Sequence, residues 1–150
     1  MRMKGDAAFI KPTIFVAVPR IYNRIVDAVK AKFETKTGVA KCLINGGMES
    51  KLSSLRSNGS CTHGFYDKLV FSQVQEGFGG RIRLMITGSA PIKNDTYEMM
   101  KVFLCCPFYE GYGQTENTAY AFIQGTKNPT PGHCGGVAVI LFLIVEQFRV

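Results

Sequence analysis

Short apolar runs alternate with longer stretches of helical hydrophobic periodicity, and no other feature constrains this chain more. Pro12 to Val18 (PTIFVAV) is β-branched and continuously apolar, as a strand buried on both faces must be. After it Ile21, Tyr22, Ile25, Val26, Val29 and Phe33 recur at helical spacing, with Pro19 placed for the first turn. Phe65, Tyr66, Leu69, Val70, Val74 and Phe78 predict a second amphipathic helix, ended by Gly77, Gly79 and Gly80. Arg81 to Thr87 (RIRLMIT) reads as a strand that breaks at Gly88. Asn94 or Asp95 is placed to cap a third helix carrying Tyr97, Met100, Val102 and Phe103, and Pro107 to Tyr109 begins another strand. Strands separated by helices imply right-handed crossovers, hence an α/β fold with a mainly parallel sheet and flanking helices. Residues 35–63 lose this periodicity and collect Gly, Ser, Asn and Lys, which predicts an inserted polar loop with a short helix around Met48 to Leu55.

Composition narrows the classes. The 150 residues are 46% hydrophobic and 19% charged, enough apolar content for a core and too much for general disorder. The formal charge of +7 is uneven: residues 1–83 hold fourteen Lys/Arg against six Asp/Glu, and residues 84–150 hold four against five. The excess is scattered, densest at Lys30, Lys32, Lys36 and Lys41, and no aromatics interleave with it as a nucleic acid platform requires. A solvated face is expected, with no nucleic acid partner. Five cysteines without C-x-x-C spacing make neither a disulfide scaffold nor a zinc site. Cys105 and Cys106 are expected in the core. Met1 to Ala8 lacks the apolar stretch of a signal peptide. Val137 to Val145 (VAVILFLIV) is too short to span a bilayer, which takes roughly 20 residues, and predicts a buried strand.

In a parallel α/β sheet, ligands bind beyond the carboxyl ends of the strands. Two turns belong there. Gly88-Ser89-Ala90-Pro91 offers small side chains, close backbone approach and a fixed exit. An ordinary strand-to-helix turn has the same composition. Glu110-Gly111-Tyr112-Gly113-Gln114-Thr115-Glu116 combines an aromatic face, a hydroxyl for a phosphate oxygen and a hard carboxylate suited to Mg²⁺. Neither Walker nor G-x-G-x-x-G spacing occurs, so any nucleotide is held in another way.

RLMITGSAPI followed by PFYEGYGQTE resembles the adenylate-forming superfamily, specifically its long-chain fatty acyl-CoA synthetases. VPRIYNR (Val18 to Arg24), FYDKLVF (Phe65 to Phe71) and TPGHCGG (Thr130 to Gly136) fit as well, so the likeness spans about residues 9–136. The resemblance implies that Gly88, Ser89, Ala90 and Pro91 lie against adenine with Tyr112 packing near it. Gly113, Gln114 and Thr115 would contact phosphate, Gly111 would border the acyl carboxylate, and Glu116 would bind Mg²⁺. Thr115 and Glu116 are thereby the expected catalytic residues. The implied reaction activates a long-chain fatty acid with ATP to an acyl-adenylate, which coenzyme A converts to acyl-CoA with release of AMP.

The phosphate loop, the ribose-binding aspartate with its following arginine, and the C-terminal domain with the adenylation lysine are not found in this sequence. The chain therefore reads as an internal fragment of the adenylation domain in the large N-terminal region, with residues 137–150 a truncated or divergent tail. A truncated module that binds nucleotide without turnover is the competing expectation. The resemblance further implies cytoplasmic work, with peripheral membrane association of the full-length enzyme on the cytosolic face of the endoplasmic reticulum or another membrane.

Overall fold

In the computed structural model, which describes residues 6–117, 121–125 and 130–137, three short strands lie side by side and parallel. β1 (Ile14–Ala17) pairs with β2 (Leu84–Thr87), which pairs with β3 (Phe108–Tyr112), so that Ala17, Thr87 and Glu110 fall in one row. All three fall where strands are predicted, but β3 runs on through Glu110, Gly111 and Tyr112, read from the sequence as a turn, because β4 pairs with Gly111 and Tyr112. The sheet is nevertheless mixed rather than mainly parallel: β4 (Phe122–Ile123) and β5 (Gly136–Val137) add antiparallel beyond β3. A parallel return needs a crossover of about a dozen residues or more. The link from Tyr112 to Phe122 is shorter and holds a 3₁₀ turn over Thr115–Asn117, so the chain can only double back.

A layer of helices covers one face of the sheet. α1 (Asp6–Ile10) was not anticipated by periodicity, and its Phe9 and Ile10 are exposed. α2 (Pro19–Glu34) starts with Pro19 in its first turn, and Tyr22, Val26 and Val29 turn inward. The Tyr22 hydroxyl reaches the carbonyl oxygens of Phe15 at 2.9 Å and Ile86 at 3.0 Å, strapping α2 across β1 and β2. Burial raises the pKa of that hydroxyl, so it remains a donor. The second predicted helix consists of α4 (Gly64–Tyr66), a π-helical turn (Asp67–Phe71) and α5 (Ser72–Gly77). α6 (Asn94–Leu104) buries Tyr97, Met100, Val102 and Phe103 as expected, but neither Asn94 nor Asp95 caps it. Lys93 occupies the cap position without a side-chain bond, and Asn94 already lies in the helix. On the other sheet face Ile14 is 54% and Val16 67% exposed.

The predicted loop over 35–63 is corrected most. Residues Val39–Asn58 form a 20-residue helix, α3. Its inner stripe of Leu43, Ile44, Met48, Leu52 and Leu55 is interrupted in sequence by glycines, serines and Lys51, which hides the period. Gly47 is there for packing, since a Cβ at that position would lie 3.0 Å from the Tyr66 ring. Lys51 is only 1% exposed. Its Nζ donates to Asp67 Oδ1 at 2.5 Å, to the Val102 carbonyl at 2.9 Å and to Cys105 Sγ at 2.9 Å, and it stands 4.4 Å from the Phe71 ring centre. Cys106 is a core residue, whereas Cys105 is half-buried in the left-handed conformation that ends α6. Of the predicted strand at Val137 to Val145, only Val137 falls within the described residues. Among the described residues no helix is long and apolar enough to cross a membrane.

Removing one partner of a buried ion pair leaves an uncompensated charge, so Asp67→Ala should cost about 3–5 kcal/mol in denaturant unfolding. The buried ionisable groups also set a pH dependence. Burial, reinforced by Cys61 and Cys105, pushes the Cys106 thiol from 9.0 up to about 12. Above pH 9 the unfolded chain therefore holds fewer thiol protons than the folded one, and this contribution falls as pH rises towards 12. Burial lowers Lys101 from 10.5 to about 8 despite Cys61 and Glu98, so its contribution rises between those values. Unfolding free energies measured from pH 8 to 11 should decline less steeply in Cys106→Ala and more steeply in Lys101→Met than in the parent chain.

Candidate functional site

The carboxyl ends of β2 and β3 bring together the two segments that the sequence singled out: Gly88 to Pro91 follows β2, whereas Glu110 to Tyr112 are the last residues of β3 and only Gly113 to Glu116 lie beyond it. Thr87 and Glu110 are paired in the ladder, so Gly88 and Gly111 follow it side by side. The approach is close: a Cβ on Gly88 would meet the Gly111 carbonyl oxygen at 2.9 Å, and one on Gly111 would lie 3.3 Å from the Phe122 carbonyl oxygen. Small residues are needed at both positions because backbone, which cannot swing aside, fills the space. Ser89 takes φ +70°, a strained conformation for a non-glycine residue, and turns the chain outward so that Ser89, Ala90 and Pro91 lie open to solvent. Ile92, buried, anchors the far side of the turn.

Across from this shelf Tyr112 is 46% exposed, with its ring centre 6.1 Å from that of Phe122. Its hydroxyl oxygen accepts from Gln114 Nε2 at 2.9 Å, and its carbonyl accepts from the Ala121 N–H at 2.8 Å. The hydroxyl end of the ring is thus tethered by Gln114 and the backbone by Ala121, while the side chain stays exposed. Gly113 is half-buried, and Thr115 and Glu116 are exposed at the start of the 3₁₀ turn. An exposed aromatic ring, a small-residue shelf, a hydroxyl and a carboxylate thus follow the carboxyl ends of the adjacent strands β2 and β3. Among the described residues no group of three or more His, Cys, Asp or Glu could hold a metal. Glu116 instead offers one hard, solvent-reachable carboxylate, which fits Mg²⁺ arriving with phosphates, since that ion commonly takes one or two protein carboxylates and keeps its waters.

Beneath the shelf lies a buried polar network that sequence reasoning missed. Glu110, 6% exposed, donates its N–H to Gln124 Oε1 at 2.9 Å and accepts the Gly132 N–H on Oε1 at 3.1 Å. Gln124 Nε2 donates to the carbonyls of Thr130 at 2.6 Å and His133 at 2.8 Å. The Tyr97 hydroxyl bonds the Phe108 carbonyl and lies 2.9 Å from Gln124 Oε1. Burial, then the neighbouring Glu110, raises the Tyr97 pKa and keeps that hydroxyl protonated. The TPGHCGG stretch is thereby clamped against β3 immediately before Gly111 and Tyr112. A glutamine beside the short apolar run Ala121 to Ile123 was the available signal. Thr87 Oγ1, at the last position of β2, is buried with no hydrogen-bond partner among the described residues.

Gly88→Ala should force the two turns apart at a cost of roughly 1–3 kcal/mol, the usual range for overpacking. Amide chemical shifts should move at Gly111 and Tyr112 as well as around residue 88.

The AMP-binding enzyme family profile matches residues 2–145. The chain is similar to long-chain-fatty-acid–CoA ligase 5 of Rattus norvegicus, at 41% identity over 145 residues, 97% of this chain and 21% of the relative. It is 37% identical to human long-chain-fatty-acid–CoA ligase 1 over 89% of this chain and 19% of that protein. Long chain acyl-CoA synthetase 7, peroxisomal, of Arabidopsis thaliana is 34% identical, with the same coverage. This chain thus spans about a fifth of the length of the curated relatives it matches. Among solved structures, the adenylation domain of a Mycobacterium chelonae carboxylate reductase superimposes with TM-score 0.55 at 23% identity, over 80% of this chain and 16% of that one, a likeness of fold. On the profile match, which takes in nearly the whole sequence, the chain belongs to the AMP-binding enzyme family.

Proposed function

We propose that this chain forms one wall of the nucleotide site in an ATP-dependent ligase that activates long-chain fatty acids to acyl-CoA. The observation that carries this reading is the contact of the Gly88 turn with Gly111, which faces a small-residue shelf toward an exposed tyrosine at the carboxyl ends of β2 and β3. Similarity to long-chain-fatty-acid–CoA ligases supplies the substrate class. Adenine would lie between the Gly88 to Pro91 shelf and the exposed ring of Tyr112. Gly113, Gln114 and Thr115 would present backbone and hydroxyl groups to the α-phosphate, and Gly111 would border the acyl carboxylate. Glu116 would hold Mg²⁺, which offsets charge where an anion attacks a phosphate.

The chemistry runs in two displacements. A carboxylate oxygen of the fatty acid attacks the α-phosphorus of ATP, and the bond to pyrophosphate breaks. The thiol sulfur of coenzyme A then attacks the acyl carbonyl, and AMP leaves. Residues of this chain bind and orient the nucleotide in both steps, while both nucleophiles belong to substrates. None of the five cysteines is required.

Titration of the chain with AMP and with ATP, with and without Mg²⁺, tests the assignment. Base–aromatic stacking contributes about 1–3 kcal/mol, so Tyr112→Ala should weaken AMP binding by roughly 5- to 100-fold. Glu116→Ala should abolish the enhancement of ATP binding by Mg²⁺ and leave AMP binding unchanged. Equal AMP affinity in Tyr112→Ala and the parent chain would remove the adenine assignment. Pyrophosphate release with a long-chain fatty acid then separates catalysis from binding alone.

A further inference from the structure

The cluster around Lys51 lies at the opposite end of β3 from the candidate nucleotide site, and the function proposed above makes no use of it. α3 delivers Lys51, the π-helical turn delivers Asp67, and the residue that ends α6 is Cys105. Lys51 Nζ stands 2.9 Å from Cys105 Sγ, with the Asp67 carboxylate on its other side at 2.5 Å. The Val102 carbonyl, at 2.9 Å from Nζ, and the Phe71 ring fix the ammonium in place. Asp67 is itself oriented, since its Oδ2 accepts the His63 N–H at 2.7 Å.

Two features set this arrangement apart from an ordinary buried ion pair. Cys105 is held at φ +54°, a region that non-glycine residues seldom occupy and where glycine usually ends a helix. Lys51 is almost wholly buried, while Cys105 is half-buried, and burial pushes its thiol up to about 11 against the opposing pull of the Lys51 ammonium. Amine nitrogen and thiol sulfur are thus in contact, immobilised and beside a carboxylate able to accept a proton.

We propose that Lys51 and Cys105 form an oxidative modification site, in which peroxide links Nζ to Sγ through a single oxygen atom. One peroxide converts the Cys105 thiol to a sulfenic acid and leaves as water. Asp67 takes a proton from the Lys51 ammonium, and a second peroxide oxidises the freed amine to a hydroxylamine, again releasing water. The hydroxylamine oxygen then attacks the sulfenic sulfur; the N–O–S bridge closes as the sulfur–hydroxyl bond breaks and a third water departs. Two peroxides thereby accept the four electrons lost by nitrogen and sulfur. Reduction by dithiol returns amine, thiol and water. The bridge would tie the middle of α3 to the junction between α6 and β3, a covalent link where the reduced protein has hydrogen bonds.

Treating the purified chain with hydrogen peroxide, digesting it and analysing the peptides by mass spectrometry tests the site. The expected product joins the Lys51 and Cys105 peptides with a mass gain of one oxygen less two hydrogens. It should vanish on dithiothreitol treatment and be absent from Cys105→Ala, which keeps the Lys51–Asp67 pair and hence the fold. Oxidation of Cys105 to sulfenic or sulfinic acid, or to a disulfide, without a link to Lys51 would overturn the proposal. So would an unmodified Cys105 under conditions that oxidise the exposed Cys42. Because the readout involves no nucleotide, its failure leaves the proposed function untouched, and the reverse also holds.

Discussion

The parallel pairing of β2 with β3 is the constraint on which the candidate site depends. With Thr87 opposite Glu110, β2 ends where β3 runs on through Gly111 and Tyr112 to pair with β4, and the Gly88 backbone comes so near that a Cβ there would lie 2.9 Å from the Gly111 carbonyl oxygen. A register shift of one residue would turn the side chains of β2 to the other face and separate the turns. The helical layer holds that register. Tyr22 bonds to β1 and β2, and Tyr97 stacks on Phe108 with ring centres 4.9 Å apart while its hydroxyl bonds the Phe108 carbonyl.

The antiparallel extension completes the arrangement. Doubling back after Tyr112 brings Gln124 beneath Glu110, where one side-chain amide accepts from β3 and donates to two carbonyls of the following turn. An unsatisfied amide buried here would be costly, so the network fixes one geometry. The floor of the site is therefore tied together by hydrogen bonds, while Ser89, Tyr112, Thr115 and Glu116 above it are exposed.

Much of this was legible in the sequence, for physical reasons that differ by element. β1, β2 and β3 showed through their β-branched runs, and α2 through its regular stripe and Pro19. The site turns were visible because glycine, proline and an isolated tyrosine are conspicuous at strand ends. α3 was not legible, since Gly47 serves contact with Tyr66 and Lys51 points inward to Asp67, both opposite to what composition suggests. The mixed sheet could not be read because β4 and β5 are two residues each, too short for alternation to register. Tyr97, Glu110 and Gln124 were hidden because their roles arise from contacts between distant segments.

The most direct test of the site follows backbone amide signals of the labelled chain during AMP titration. Binding as described predicts saturable shifts concentrated at Gly88 to Ala90 and Gly111 to Glu116, with Lys51 and its surroundings unchanged. Shifts confined to another surface, such as the exposed residues of α3, with both strand-end turns silent, would contradict it.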